Sequence, residues 1–302
     1  MTRSDLPARD RHAGPDKIPE PRRIGLPDLS DALTLGWRDF RRAPAFGLIF
    51  SAFYVLGGWA LASVAFASGR DWWLIPFILG FPLIAPFAAT GLYEVSRRIE
   101  AGEPLDTARI LRVVFEQRQR QIPSMAMVIL LLFMFWVFVA HTVFALFMGV
   151  SALTNITSSP EVLLQGRGLA MLVLGTVVGG GFAAVLFAFT VVGLPLLMER
   201  EVDFVTAIVA SCRAVAENPG VMAVWAALIA IWLFAAIVPG FLGLLVVLPV
   251  LGHASWHVYR RVTGDQGRRV PGPDREAHVA GPCGADGAAA MRQEKRPLPK
   301  RA

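Results

Sequence analysis

Long uncharged runs set the pattern of this chain. Asp, Glu, Lys and Arg are all missing from Ala43 to Gly69, Trp72 to Tyr93, Ile122 to Pro160, Gly168 to Met198 and Asn218 to Tyr259. A helix needs about 20 apolar residues to cross a hydrocarbon layer about 30 Å thick. The first two runs therefore predict membrane helices at about 45–67 and 72–93. The third predicts one at about 123–150, because Ser151, Thr154, Asn155, Thr157, Ser158 and Ser159 read as a polar exit loop. The fourth predicts a helix at about 168–192. The fifth run covers 42 residues, twice one span, with Pro239-Gly240 near its middle where a tight turn belongs. It predicts helices at about 219–238 and 241–259. The fold class is thus all-α, a polytopic bundle of six transmembrane helices.

Shorter segments of helical periodicity precede the hairpins. Residues 28–42 align Leu29, Ala32, Leu33, Trp37 and Phe40 on one face, with Arg38, Asp39, Arg41 and Arg42 largely away from it. Residues 203–217 do the same with Phe204, Ala207, Ile208, Cys212 and Val215. A looser third case, Asp106 to Arg118, aligns Ala108, Leu111, Val114 and Phe115. Asp28 or Ser30, and Asp203, are placed to cap helix starts. Each segment is followed by a proline, Pro44, Pro219 or Pro123, where the chain enters the apolar run. These read as amphipathic helices lying at the membrane surface.

The chain also repeats itself. Ala32, Arg38 and Pro44 recur as Ala207, Arg213 and Pro219 at the same spacing. Gly80, Pro86 and Arg97-Arg98 recur as Gly243, Pro249 and Arg260-Arg261, and Tyr93 corresponds to Trp256. Residues 30–98 and 205–261 read as two parallel copies of one unit, and the middle hairpin as a candidate third.

Composition sharpens the picture. Of 302 residues, 55% are hydrophobic and only 17% charged, which leaves too little polar surface for a soluble fold of this size. Mean hydropathy is +0.53. The net charge of +6 is positional: 27 of the 29 Lys and Arg lie on one side of the expected spans, and only Arg70 and Arg167 on the other. Basic loops stay inside, so both termini are expected in the cytoplasm and the protein in a plasma membrane. Residues 1–27 lack the apolar core of a signal peptide and read as a disordered N-terminal segment. Residues 28–262 form the membrane domain, and 263–302 read as a disordered basic tail. Arg collects in cytoplasmic loops beside any membrane, so the basic pI does not imply nucleic acid. The partners expected are membrane lipids and membrane proteins or a second copy of the chain.

Candidate chemistry is sparse. None of the expected spans holds an Asp, Glu, Lys or Arg, which argues against ion-coupled transport and against an intramembrane protease. Histidines remain as candidate metal ligands. His253 and His257 are four apart on the last span, and His141 lies within the third. Two histidines one turn apart can share a metal but cannot serve as opposite axial ligands of one haem. The blander alternative makes Trp256, His257 and Tyr259 an interfacial belt and His253 a residue hydrogen-bonded between helices. Neither Cys212 nor Cys283 completes a site or a disulfide framework. Gly175, Gly179, Gly180 and Gly181 on the fourth span form a small-residue face suited to helix packing. Trp37, Arg38, Arg213, Trp256 and Tyr259 are the other structural candidates. No catalytic constellation is present, so no enzyme and no cofactor is expected.

The closing segment, Gly252-His253-Ala254-Ser255-Trp256-His257-Val258-Tyr259-Arg260-Arg261, and Gly36-Trp37-Arg38-Asp39-Phe40 near the start resemble a bacterial family of predicted integral membrane proteins, DUF2189. Pro195-Leu196-Leu197-Met198-Glu199, Ala207, Ser211 and Asn218-Pro219 are similar to it as well. The likeness covers about residues 25–262. It implies a six-span protein of a bacterial inner membrane and brings no established activity. Three functions are therefore carried forward. The first is a non-enzymatic scaffold or accessory component. The second is a channel or carrier, whose polar lining would draw on Ser51, Ser63, Thr90, Ser124, Thr142, Thr176 and Thr190. The third is a metal or haem protein of the respiratory membrane using His141, His253 and His257.

Overall fold

A computed structural model describes residues 20–68, 75–149 and 166–264. These belong to the first of two units into which the chain divides, Met1–Asp265 and Gln266–Ala302. Residues 1–19, the exit loop, Arg70, Cys283 and the basic tail from 265 lie outside the described residues, as does the start of the second expected span. Every described element is helical: α1 Leu26–Arg42, α2 Pro44–Ser68, α3 Ile75–Ala101, α4 Thr107–Glu116, α5 Ile122–Met148, α6 Gly166–Thr190, α7 Gly193–Glu199, α8 Phe204–Glu217, α9 Pro219–Ile237 and α10 Leu244–Val262.

Local chemistry explains the boundaries. Proline occupies the first turn of α2, α5 and α9, where a missing N–H costs nothing. The Asp106 carboxylate accepts from Ala108 N at the start of α4, and Asp203 accepts from Thr206 N at the start of α8, both at 2.9 Å. Helix α1 begins two residues before the expected Asp28, and Asp28 instead accepts from Gly25 N at 2.8 Å. The turn expected at Pro239-Gly240 is built on two left-handed residues, Gly240 (φ 64°) and Phe241 (φ 68°).

Among the described residues, three stretches are long and apolar enough to cross a membrane: Ile122–Met148, Gly166–Glu199 and Pro219–Ile237. A fourth candidate is the pair Leu26–Arg42 and Pro44–Ala60, bent by 98°. Pro44 produces that bend, so α1 runs across the direction of α2. Helix α10 does not reach the same hydropathy, because its second half carries His253, His257, Arg260 and Arg261.

Among the described residues the shorter helices α1, α4 and α8 are each followed by two long ones, with the short α7 standing between α6 and α8. Helix α1 lies along α10, α4 along α3, and α8 along α6, so each short helix rests on the last long helix of another group. Likewise α2 packs on α10 and α5 on α3. The corresponding pair, α6 and α9, makes no comparable contact. The main core is shared by α1, α3, α5, α7, α8, α9 and α10, and includes Ala32, Met125, Leu196, Ala207, Trp225, Trp256 and Tyr259. Large apolar side chains point outward elsewhere: Phe135 and Phe138 on α5, Val177 on α6, and Ile231 and Phe234 on α9. An outward apolar belt is what a bilayer, not water, stabilises.

On α4 only Ile110 is buried, packed with Ala43, Phe46, Val95 and Ile99, while Leu111 and Phe115 of the aligned apolar face are exposed.

Candidate functional site

The distinctive chemistry lies where α1 crosses α10. Gly36 allows it: a Cβ there would stand 2.7 Å from Ala254 N and 2.8 Å from Val250 O, so only glycine permits this approach of two backbones. One turn further along α1, Asp39 reaches α10. Its carboxylate lies 2.7 Å from His257 Nε2, and the residue is 0% exposed. The periodicity had grouped Asp39 with the outward Arg38, Arg41 and Arg42. Asp39 instead follows Ala32 and Gly36 at steps of four and three, which places it on the buried face. Arg38 stays exposed and reaches back to Asp39 Oδ1 at 3.2 Å.

Helix α3 completes the cluster. Ser96 Oγ is 2.8 Å from His253 Nδ1. His253 Nε2 is buried, with no hydrogen-bond partner among the described residues. Burial pushes the Asp39 carboxyl up, but the hydrogen bond and charge of His257, with the Ser96 hydroxyl, outweigh it and hold the group below its ordinary value.

Two further polar knots flank this one. Glu94, buried on α3, accepts from Arg97 Nε at 2.7 Å and Arg98 Nε at 2.6 Å, and both arginines also reach Glu103 beyond the helix end. These carboxylates raise Arg97 above its ordinary value. At the end of α10, Glu199 accepts from Tyr259 OH and from Arg260 Nη1 at 2.9 Å, while Glu100 accepts from Trp256 Nε1 at 3.2 Å. Arg260 also lies over the Trp256 ring, 5.7 Å from its centre, a cation–π contact. Arg261 pairs with Asp28 at 2.8 Å. Asn218 Oδ1 accepts from Ile24 N at 2.8 Å and its Nδ2 donates to Arg22 O at 3.0 Å, binding the segment before α1. The second half of α10 is thus a hub holding α1, α3 and α7.

The sequence-derived candidates separate in space. His253 and His257 share the α10 face but turn to different partners, Ser96 and Asp39. His141 is exposed on α5, its Nδ1 2.8 Å from Val137 O, and does not join them. No group of three or more His, Cys, Asp or Glu among the described residues is placed to hold a metal ion. Trp256, His257 and Tyr259 are buried inside the protein and form no outward belt, because the contacts with α1, α3 and α7 enclose them. Trp37 is 45% exposed, and Arg213 is exposed on α8. Of the four glycines on α6, only Gly179 meets a neighbour: a Cβ there would stand 3.3 Å from Trp136 Nε1, closer than ordinary contact. Gly175, Gly180 and Gly181 face open space among the described residues, because no helix packs on that side.

Sequence reasoning overlooked Asp39, Ser96, Glu94 and Glu100. The first was legible from its spacing to Gly36. The others lie on the last turns of α3, where sequence shows only a charged helix end.

Hydroxyls expected to line a passage are mostly turned onto their own helices. Ser51 donates to Gly47 O, and Thr90, Thr142 and Thr190 donate to carbonyls three or four residues back. A cavity of about 240 Å³ lies between α2, α3, α9 and α10, lined by Phe50, Tyr54, Leu92 and Leu248 among others. A larger one, about 570 Å³, opens between α6 and α9. Both have mainly apolar walls.

An all-helical bundle with an outward apolar belt and a buried polar hub is an integral membrane protein. Residues 74–199, from the start of α3 through α7, match the DUF2189 family, described as predicted integral membrane proteins. Pro195–Glu199 falls within the match; the Gly36–Phe40 and Gly252–Arg261 motifs lie outside it. No curated protein and no solved structure matches the chain significantly.

Proposed function

We propose that this chain is a non-enzymatic scaffold or accessory component of a bacterial inner membrane, with six spans and both termini in the cytoplasm. One observation carries the reading: the buried carboxylates Asp39 and Glu94 are held by intramolecular partners. Groups committed to pairs of this kind rigidify a structure. Charge sidedness supports the orientation, with 27 of 29 basic residues on the side of α1, α4 and α8. The parallel repeat is supported by matched environments. Ala32 and Ala207 are both fully buried, Pro44 and Pro219 both open long helices, and Tyr93 stacks on its counterpart Trp256 at 6.4 Å. The resting of α4 on α3 extends the same pattern to the middle group.

Native purification followed by mass spectrometry and visible absorbance tests the function. Co-purifying phospholipid and a protein partner or second copy, without metal, are expected. Stoichiometric metal, or a Soret band lost in His253→Ala, would transfer the reading to a redox protein. Topology is tested separately, in a background with Cys212 and Cys283 replaced. A cysteine at Pro239 is expected to react with an impermeant thiol reagent in intact cells. Cysteines at Gly102 and Glu201 should react only once the membrane is opened. The opposite pattern would reverse the orientation, and a mixed one would break the six-span count.

A further inference from the structure

The gap between α6 and α9 is where the ring of helix contacts fails to close, and its walls account for that. Gly180, Ala183 and Ala184 line it from α6, and Ala226, Ala227 and Ala230 from α9. Small side chains on both faces leave space where larger ones would interlock. Gly180, Ala183, Ala184, Ala227 and Ala230 are exposed, so the cavity opens sideways between the two helices. No charged residue lines it, and the outward faces beside it carry Val177, Val185, Val224 and Ile231. Its inner end carries Thr190, Ser255 and Tyr93.

We infer that this cleft binds one acyl chain of a phospholipid from the cytoplasmic leaflet. The inference rests on the reading above, in which α6 and α9 stand in the bilayer with α8 at the cytoplasmic surface. Size selects the occupant. From Gly180 to Thr190 the wall is about 15 Å long at 1.5 Å per residue, close to one leaflet of a core about 30 Å thick. The 570 Å³ spread over that length takes an extended polymethylene chain, and the apolar wall leaves a polar solute unsolvated. Charge selects the phospholipid over an uncharged hydrocarbon. Helix α8 packs against both α6 and α9 at their cytoplasmic ends and carries exposed Arg213, which suits the phosphate of a headgroup.

The test uses the full chain in liposomes containing a phospholipid with a diazirine midway along one acyl chain. After illumination, peptide mapping is expected to show several-fold more adduct at Ala183, Ala184 and Ala226 to Ala230 than at Phe135 and Phe138, which face the bilayer from α5. Ala227→Trp should abolish the excess while labelling on α5 persists; Ala230→Leu, a smaller change, should reduce it. Arg213→Gln should remove any preference for anionic over zwitterionic lipid. Equal labelling of cleft and α5 in the unmodified chain would overturn the proposal, as would an excess that Ala227→Trp leaves intact. Displacement by a free isoprenoid but not by phospholipid would also overturn it. Absence of labelling on both surfaces, together with a failed cysteine topology, would instead overturn the membrane placement of these helices.

Discussion

Asp39→Ala is expected to lower the thermal midpoint of the purified protein by on the order of 10 °C, the equivalent of about 3–5 kcal/mol for removing one partner of a buried pair. The substitution strips His257 Nε2 of its partner at 2.7 Å and so loosens the α1–α10 crossing. Asp39→Asn separates charge from shape. It retains the volume and part of the hydrogen bonding, and should fall between wild type and alanine. Acid supplies a second measure. The Asp39 carboxyl is held below its ordinary value of 3.8 in the folded protein, so the unfolded chain binds the proton more readily. Its contribution is complete above that ordinary value and is lost as pH falls through the lower folded one. Thermal midpoints recorded from pH 6 downward should therefore drop more steeply near and below about pH 4 in the wild type than in Asp39→Asn. Parallel curves would show that this carboxylate does not hold α1 in place.

Gly36→Val should be as damaging, through sterics alone. The first carbon added at Gly36 meets backbone atoms of α10 at 2.7 and 2.8 Å, and backbone cannot swing aside as a side chain can. Overpacking typically costs about 1–3 kcal/mol, and here the displacement would also draw Asp39 away from His257. The expected outcome is low yield, an expanded species on gel filtration, and protease cleavage within α1. Gly36→Ala keeps a residual version of the same defect and should survive with a reduced midpoint. By contrast, Gly180→Ala and Gly181→Ala face open space and should leave stability unchanged. An equal loss at Gly36 and Gly180 would mean that the α1–α10 crossing has no special role.

How much of this was legible beforehand depended on the range of the interaction. The helix starts at Pro44 and Pro219, the cap at Asp203 and the turn at Gly240 are local and read from a few adjacent residues. The apolar belt is legible for the same reason, since transfer of a side chain into hydrocarbon depends on that residue's own chemistry. The burial of Ile110 on α4 was not legible, because it depends on distant partners: Ala43, Phe46, Val95 and Ile99 cover it. On α6 a small-residue face permits close packing but does not by itself supply the helix that would pack there.

The sequence by itself determined the helical class and the integral membrane character. Each follows from hydropathy and spacing along one segment. Only the tertiary structure decided that α1 crosses α10 at Gly36, that Asp39 turns inward to His257, and that α6 and α9 stand apart. The physical reason lies in separation along the chain. Asp39 and His257 are 218 residues apart, and their meeting depends on where several intervening helices come to rest, a geometry that no local pattern encodes.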